Sequence, residues 1–115
     1  MNRPLQLLFI CSQNKIRSLT AEHMLQGVPG LAVKSAGTEA CSRIRVNEGH
    51  IGWADLIFVM EKKHRRILEE NFPEALVGKA IICLNIPDEY RYMEPALMDE
   101  LKAELSQHVE LPESD

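Results

Sequence analysis

Between an apolar run, Leu5 to Ile10, and a stretch with helical spacing lies the segment Cys11-Ser12-Gln13-Asn14-Lys15-Ile16-Arg17-Ser18. A strand-to-helix loop of this kind turns successive backbone N–H groups inward, and the helix adds its unpaired donors and the positive end of its dipole. Such a cradle holds a tetrahedral oxyanion. Arg17 adds a planar fork that matches two phosphate oxygens. The same positive surroundings favour the thiolate of Cys11, which is aimed at the centre of the bound anion. Ser18 is placed to donate its hydroxyl to that thiolate. The loop residues Ser12, Gln13, Asn14, Lys15 and Ile16 supply the anion-binding backbone, with Cys11 as nucleophile.

Attack by a thiolate on a phosphoester needs a proton donor for the departing oxygen. The segment Ile86-Pro87-Asp88-Glu89-Tyr90 carries one at the end of another apolar run. Asp88 is the choice, with Glu89 and Glu94 behind it. Glu94 precedes Pro95 and fits the start of a helix better. Tyr90 and Tyr92 are candidates for a pocket wall and equally for packing.

The elements that position these groups follow from the hydropathy pattern. Four short apolar runs, at about 5–11, 31–35, 56–60 and 80–86, alternate with amphipathic or polar segments, which predicts a parallel sheet covered by helices. Three of the runs are almost continuously apolar, as in strands covered on both faces. Helices are expected at about 17–26, stopped by Gly27; near 47–53; near 61–72, before Pro73; and from Pro95, with Leu97, Met98, Leu101, Leu105 and Val109 in one stripe. The fold class is α/β: a three-layer αβα arrangement on a four-stranded parallel sheet, flavodoxin-like. Ligands in such sheets bind at the carboxyl ends of the strands, so the Cys11 loop, Gly37/Thr38, Glu61 and Asp88 are expected to share one crevice.

The chain has 115 residues, a 45% hydrophobic content and a net charge of −4. That length suits a single domain over 1–115, with 110–115 as a frayed acidic tail. No apolar stretch is long enough to cross a bilayer and no signal peptide is apparent, so a cytoplasmic setting without membrane attachment is expected. Cys11, Cys41 and Cys83 are irregularly spaced, which suits free thiols, and neither they nor the four histidines have metal-site spacing. No metal or cofactor is indicated. Scattered basic residues and few aromatics argue against nucleic acid as a partner. The cluster Lys62/Lys63/Arg65/Arg66 reads as the wet face of a helix.

At the residues quoted, the chain resembles the low-molecular-weight protein tyrosine phosphatases, whose signature is a cysteine, five residues, arginine and serine at the first strand-to-helix junction. Thr20-Ala21-Glu22, Ser35-Ala36-Gly37-Thr38, Ala54 to Glu61 and Asp88-Glu89-Tyr90 are similar to further family segments. The resemblance implies a cysteine-dependent phosphatase acting on a phosphorylated protein or a small aryl phosphate. Cys11 takes the phosphoryl group while Asp88 protonates the leaving oxygen, and Asp88 then activates water. Arg17 stabilises the equatorial oxygens, and Asn14 holds the loop's unusual backbone shape. Two alternatives accompany it: an arsenate reductase of the related fold, and a non-catalytic binder of phosphate or phosphoproteins.

Several features depart from the family pattern. Ile16 stands where a second cysteine usually protects the nucleophile, Gln13 where a glycine is common, and Lys15 adds a positive charge. The chain is short between Thr38 and Ala54, a stretch that carries part of the substrate wall in longer relatives. Arg43 and Arg45 lie there, as candidates for gripping a second anionic group.

Overall fold

A computed structural model describes residues 3–111. Four strands, β1 (Leu5–Cys11), β2 (Leu31–Gly37), β3 (Leu56–Val59) and β4 (Ala80–Cys83), form one parallel sheet in the order β2-β1-β3-β4. Helices α1 (Arg17–Leu25), α2 (Glu48–Trp53), α3 (Lys62–Asn71) and α4 (Pro95–Leu105) connect and follow them.

The alternation of side chains along β1 explains the layers. Leu7, Phe9 and Cys11 belong to one buried cluster with Ala21 and Leu25 of α1 and Leu97, Leu101 and Leu105 of α4. Leu8 and Ile10 point the other way, into a cluster with Ile51 of α2 and Leu68 of α3. Both faces of β1 are therefore covered, which is why its sequence reads as a continuous apolar run. Phe9 and Phe58, neighbours on paired strands, stack with ring centroids 5.4 Å apart, a contact worth about 1 kcal/mol beyond its burial.

The expected elements are all present, with shifted ends. The second strand runs two residues further than expected, to Gly37, because Ala36 and Gly37 continue the ladder with Ile10 and Cys11. The fourth stops at Cys83 rather than Ile86, because Asn85 adopts a left-handed conformation with φ 55°. Leu84 and Ile86 remain buried all the same. Helix α4 ends at Leu105, and Val109 reaches the core from the turn beyond it. The tail at 110–115 falls mostly outside the described residues. Among the described residues no helix is long and apolar enough to cross a membrane.

At the amino ends of the strands, Asp55 clasps the sheet. Its carboxylate accepts from the Arg3 guanidinium at 2.6 and 3.0 Å and from the Gln6 N–H at 2.8 Å. These bonds hold the Asp55 carboxyl below its ordinary value.

Candidate active site

The loop 11–17 leaves the centre of the sheet and ends at the first turn of α1. Asn14 makes the turn possible: its φ of 58° lies in the left-handed region, which Asn tolerates better than most residues. Its side-chain amide is buried and donates twice, to Ser18 Oγ at 2.7 Å and to Ser35 Oγ at 2.8 Å. Ser35 in turn donates to Glu22. With Asn14 filling an acceptor position of Ser18, the Ser18 hydroxyl proton has two acceptors in reach, Cys11 Sγ at 3.0 Å and the Ala36 carbonyl at 3.5 Å, and a thiolate at the nearer position is the stronger one. The Asn14 N–H donates to the same sulfur at 3.3 Å. Two donors thus converge on Cys11.

Arg17 is buried, and its Nη1 donates to Glu61 Oε1 at 2.6 Å and to the Ile86 carbonyl at 2.8 Å. With Nη1 committed on both hydrogens, Nε and Nη2 remain as the bidentate edge for an oxyanion. Burial would raise the Glu61 carboxyl, but the hydrogen bond and charge of Arg17 outweigh it and hold Glu61 below its ordinary value. Asp88 lies on the other side of the guanidinium, with Oδ1 3.9 Å from Nε, and its side chain is 66% exposed. It is therefore reachable by both a leaving group and water.

A recess of about 200 Å³ opens over the sulfur, lined by residues of the loop together with Glu39, Lys63 and Asp88. The loop after β2 forms its outer rim by hydrogen bonding to the anion loop from behind. Glu39 N–H and Ser42 Oγ–H donate to the Ser12 carbonyl, Arg43 N–H to the Gln13 carbonyl, and Arg43 Nε–H to the Asn14 carbonyl at 3.3 Å. Gly37 is required for this approach: a Cβ there would lie 2.3 Å from Ser42 Oγ and 2.8 Å from the Ser12 carbonyl oxygen.

A cysteine, five residues, arginine and serine, closing a recess at the carboxyl end of the central strand of a 2-1-3-4 parallel sheet, defines a recognisable scaffold. The sequence is 31% identical over 96 residues to the protein-arginine-phosphatase of Geobacillus stearothermophilus, a match covering 63% of this chain and 65% of that relative. The structure of the YwlE arginine phosphatase from the same organism superposes with a TM-score of 0.61 at 24% identity, over 95% of this chain and all of that one. The tyrosine phosphatase Wzb from Escherichia coli K30, in complex with phosphate, gives a TM-score of 0.69 at 23% identity, over 89% of this chain and 94% of that one. The fold is that of the low-molecular-weight protein tyrosine phosphatases. No protein-family model matches the sequence.

Against the sequence expectations for a low-molecular-weight phosphatase, the structure brings Cys11, Ser12, Gln13, Lys15, Ile16, Arg17 and Asp88 to one recess, with Asn14 and Ser18 buried beneath it. Glu89 does not line the recess, and Glu94 sits at the N-cap of α4, where its carboxylate accepts from the Arg91 N–H. Neither tyrosine walls the recess. Tyr90 donates to Glu100, a bond that with burial pushes its phenol up to about 12, and Tyr92 pairs with His23. Arg43 buttresses the loop from outside, and Arg45 lines a separate hollow with Thr38, Asn47 and Phe72, so the two do not meet at the recess. Cys41 and Cys83 do not line it either.

Two features escaped the sequence reading. Lys63 belongs to the cluster read as a wet helix face, yet it lines the recess. His64, one residue on, is wholly buried and its Nε2 lies 2.9 Å from Ser12 Oγ. The signal was the spacing Glu61-x-x-His64 immediately after a strand, which puts the imidazole under the strand's exit.

Proposed function

We propose that the chain is a cysteine-dependent phosphatase that hydrolyses phosphate monoesters on a phosphorylated protein or an aryl phosphate through a phosphocysteine. The observation that carries this reading is the pair of donors on Cys11 Sγ beneath a recess flanked by the open edge of Arg17 and by Asp88. In the first step Cys11 Sγ forms a bond to phosphorus as the phosphorus–oxygen ester bond breaks, and Asp88 gives its proton to the departing oxygen. In the second, water attacks phosphorus and leaves a proton on Asp88, and the electron pair of the sulfur–phosphorus bond returns to Cys11. Arg17 and the loop N–H groups hold the equatorial oxygens throughout. A binding module has no use for a hydrogen-bonded nucleophile and an exposed acid.

A second substrate, phosphoarginine on a protein, is favoured by two observations. The 31% identical relative is a protein-arginine-phosphatase. The recess also has no aromatic ring in its lining to stack on a phenyl group, and the Glu39 carboxylate that it carries, alongside the cations of Lys15 and Lys63, is an acceptor for guanidinium N–H groups.

The test is hydrolysis of p-nitrophenyl phosphate, a phosphotyrosine peptide and a phosphoarginine peptide by the wild-type chain and Cys11→Ser. Vanadate-sensitive turnover lost in Cys11→Ser supports the phosphatase reading, and the ratio of kcat/KM between the two peptides decides the substrate. Folded protein that turns over none of the three overturns it.

A further inference from the structure

His64 is a fully buried histidine facing the phosphate loop, and no step of the proposed reaction uses it. Its two ring nitrogens have different partners. Nδ1 lies 3.0 Å from the backbone nitrogen of Glu61, and Nε2 lies 2.9 Å from the Ser12 hydroxyl oxygen. A backbone N–H can only donate, so Nδ1 must offer its lone pair. A neutral imidazole then carries its one proton on Nε2. Burial, reinforced by the positive charge of Arg17, keeps the ring in that neutral form, with its ordinary value lowered to about 4. The direction of the Ser12 bond is thereby set: His64 donates and Ser12 Oγ accepts. Ser12 Oγ has no other partner among the described residues. Its own proton is directed away from the imidazole, on the side where Ser12 lines the recess over Cys11.

The geometry points to His64 as a positioning residue: by donating to Ser12 it turns the Ser12 hydroxyl into a hydrogen-bond donor fixed toward a non-bridging phosphoryl oxygen of the substrate. A serine hydroxyl otherwise rotates and offers a lone pair or a proton with similar ease, and a lone pair turned toward a phosphate dianion is repulsive. His64 removes that choice before substrate arrives, so the donor needs no reorganisation at the moment of reaction. The helix turn Glu61 to His64 thus serves the anion site twice. The Glu61 carboxylate holds Arg17, and the Glu61 N–H sets the tautomer of the histidine that sets Ser12. The inference rests on the phosphatase reading for the identity of the bound oxyanion.

The test is a double-mutant cycle on p-nitrophenyl phosphate hydrolysis. His64→Asn keeps an acceptor near the Nδ1 position for the Glu61 N–H but places no donor at Nε2, whereas the longer His64→Gln amide retains one. Ser12→Ala and His64→Asn are each expected to lower kcat/KM by about tenfold, the worth of one net hydrogen bond, and the double variant to lose no more than either alone. His64→Gln is expected to stay within about threefold of wild type. Losses that multiply to about a hundredfold in the double variant, or an unchanged kcat/KM in Ser12→Ala, overturn the inference. An inactive wild type defeats the phosphatase reading instead. The same cycle read on the affinity for inorganic phosphate by calorimetry then decides the role of His64 by the same criteria. Nitrogen-15 spectra of the wild-type imidazole give a readout independent of any variant's folding: an Nε2–H tautomer is expected, and an Nδ1–H tautomer overturns the assignment.

Discussion

Arg17 Nη1 lies 2.6 Å from Glu61 Oε1, and the same nitrogen donates to the Ile86 carbonyl at 2.8 Å. The two acceptors fix the plane of the guanidinium and leave its other edge turned to the recess. Removing the carboxylate frees a buried cation to rotate. Glu61→Ala is expected to lower kcat/KM by about 10- to 100-fold, the range of a charge-assisted hydrogen bond, with Glu61→Gln falling between it and wild type. Steady-state kinetics on an aryl phosphate check this, and equal activity of all three proteins would show that Glu61 does not orient Arg17.

Asp88 is expected to behave as the proton donor of the first step. Asp88→Asn lowers kcat by about a hundredfold or more on a phenyl phosphate, and by much less when the leaving phenol is so acidic that it departs unprotonated. A series of aryl phosphates with leaving groups of graded acidity reads the difference. A uniform loss across the series would move the role of acid away from Asp88.

The buried state of His64 makes stability depend on pH. The folded chain keeps this ring neutral down to about 4, against an ordinary value of 6.5 that the unfolded chain recovers. Between those values the unfolded chain binds more protons, so stability falls as the pH drops from about 6.5 toward about 4. At about 1.4 kcal/mol per pH unit, the full effect is on the order of 3 kcal/mol. Urea unfolding at about pH 7 and about pH 4.5 is expected to show a smaller loss in His64→Gln than in wild type. Equal losses in the two proteins would assign the acid sensitivity to other groups.

Gly37→Ala is expected to damage both stability and turnover. Ser42 can swing its hydroxyl away from the added methyl, but its Cβ and the Ser12 carbonyl oxygen, each 2.8 Å away, are fixed to the backbone of the two loops, which must shift. Overpacking of this kind costs about 1–3 kcal/mol. Thermal unfolding measures that cost, and an unchanged kcat/KM at a lowered Tm would separate the loop's position from its chemistry.

Much of this site was legible in the sequence because its key contacts are local. Cys11, Asn14, Arg17 and Ser18 lie within one strand, one loop and one helical turn, and the apolar run before them and the spaced apolar residues after them fix how the chain must turn. The pairing of Ser12 with His64 spans 52 positions and depends on the register of β3 against β1, which no local pattern encodes. The end of β4 was misplaced for a related reason: Leu84 and Ile86 are as apolar as strand residues, and only the left-handed turn at Asn85 separates them from the ladder. Tyr90 and Tyr92 had suitable chemistry for a pocket wall, but Glu100 and His23, neighbours only in three dimensions, hold them elsewhere.

The clasp of Asp55 on Arg3 and Gln6 sits at the opposite ends of the strands from Cys11. A change there alters how firmly the framework stays assembled without touching any atom of the recess, and a change in the loops around the recess leaves the clasp intact. Durability and reactivity are thus written at two separate poles of the same sheet, so each is open to adjustment by substitution without the other being spent.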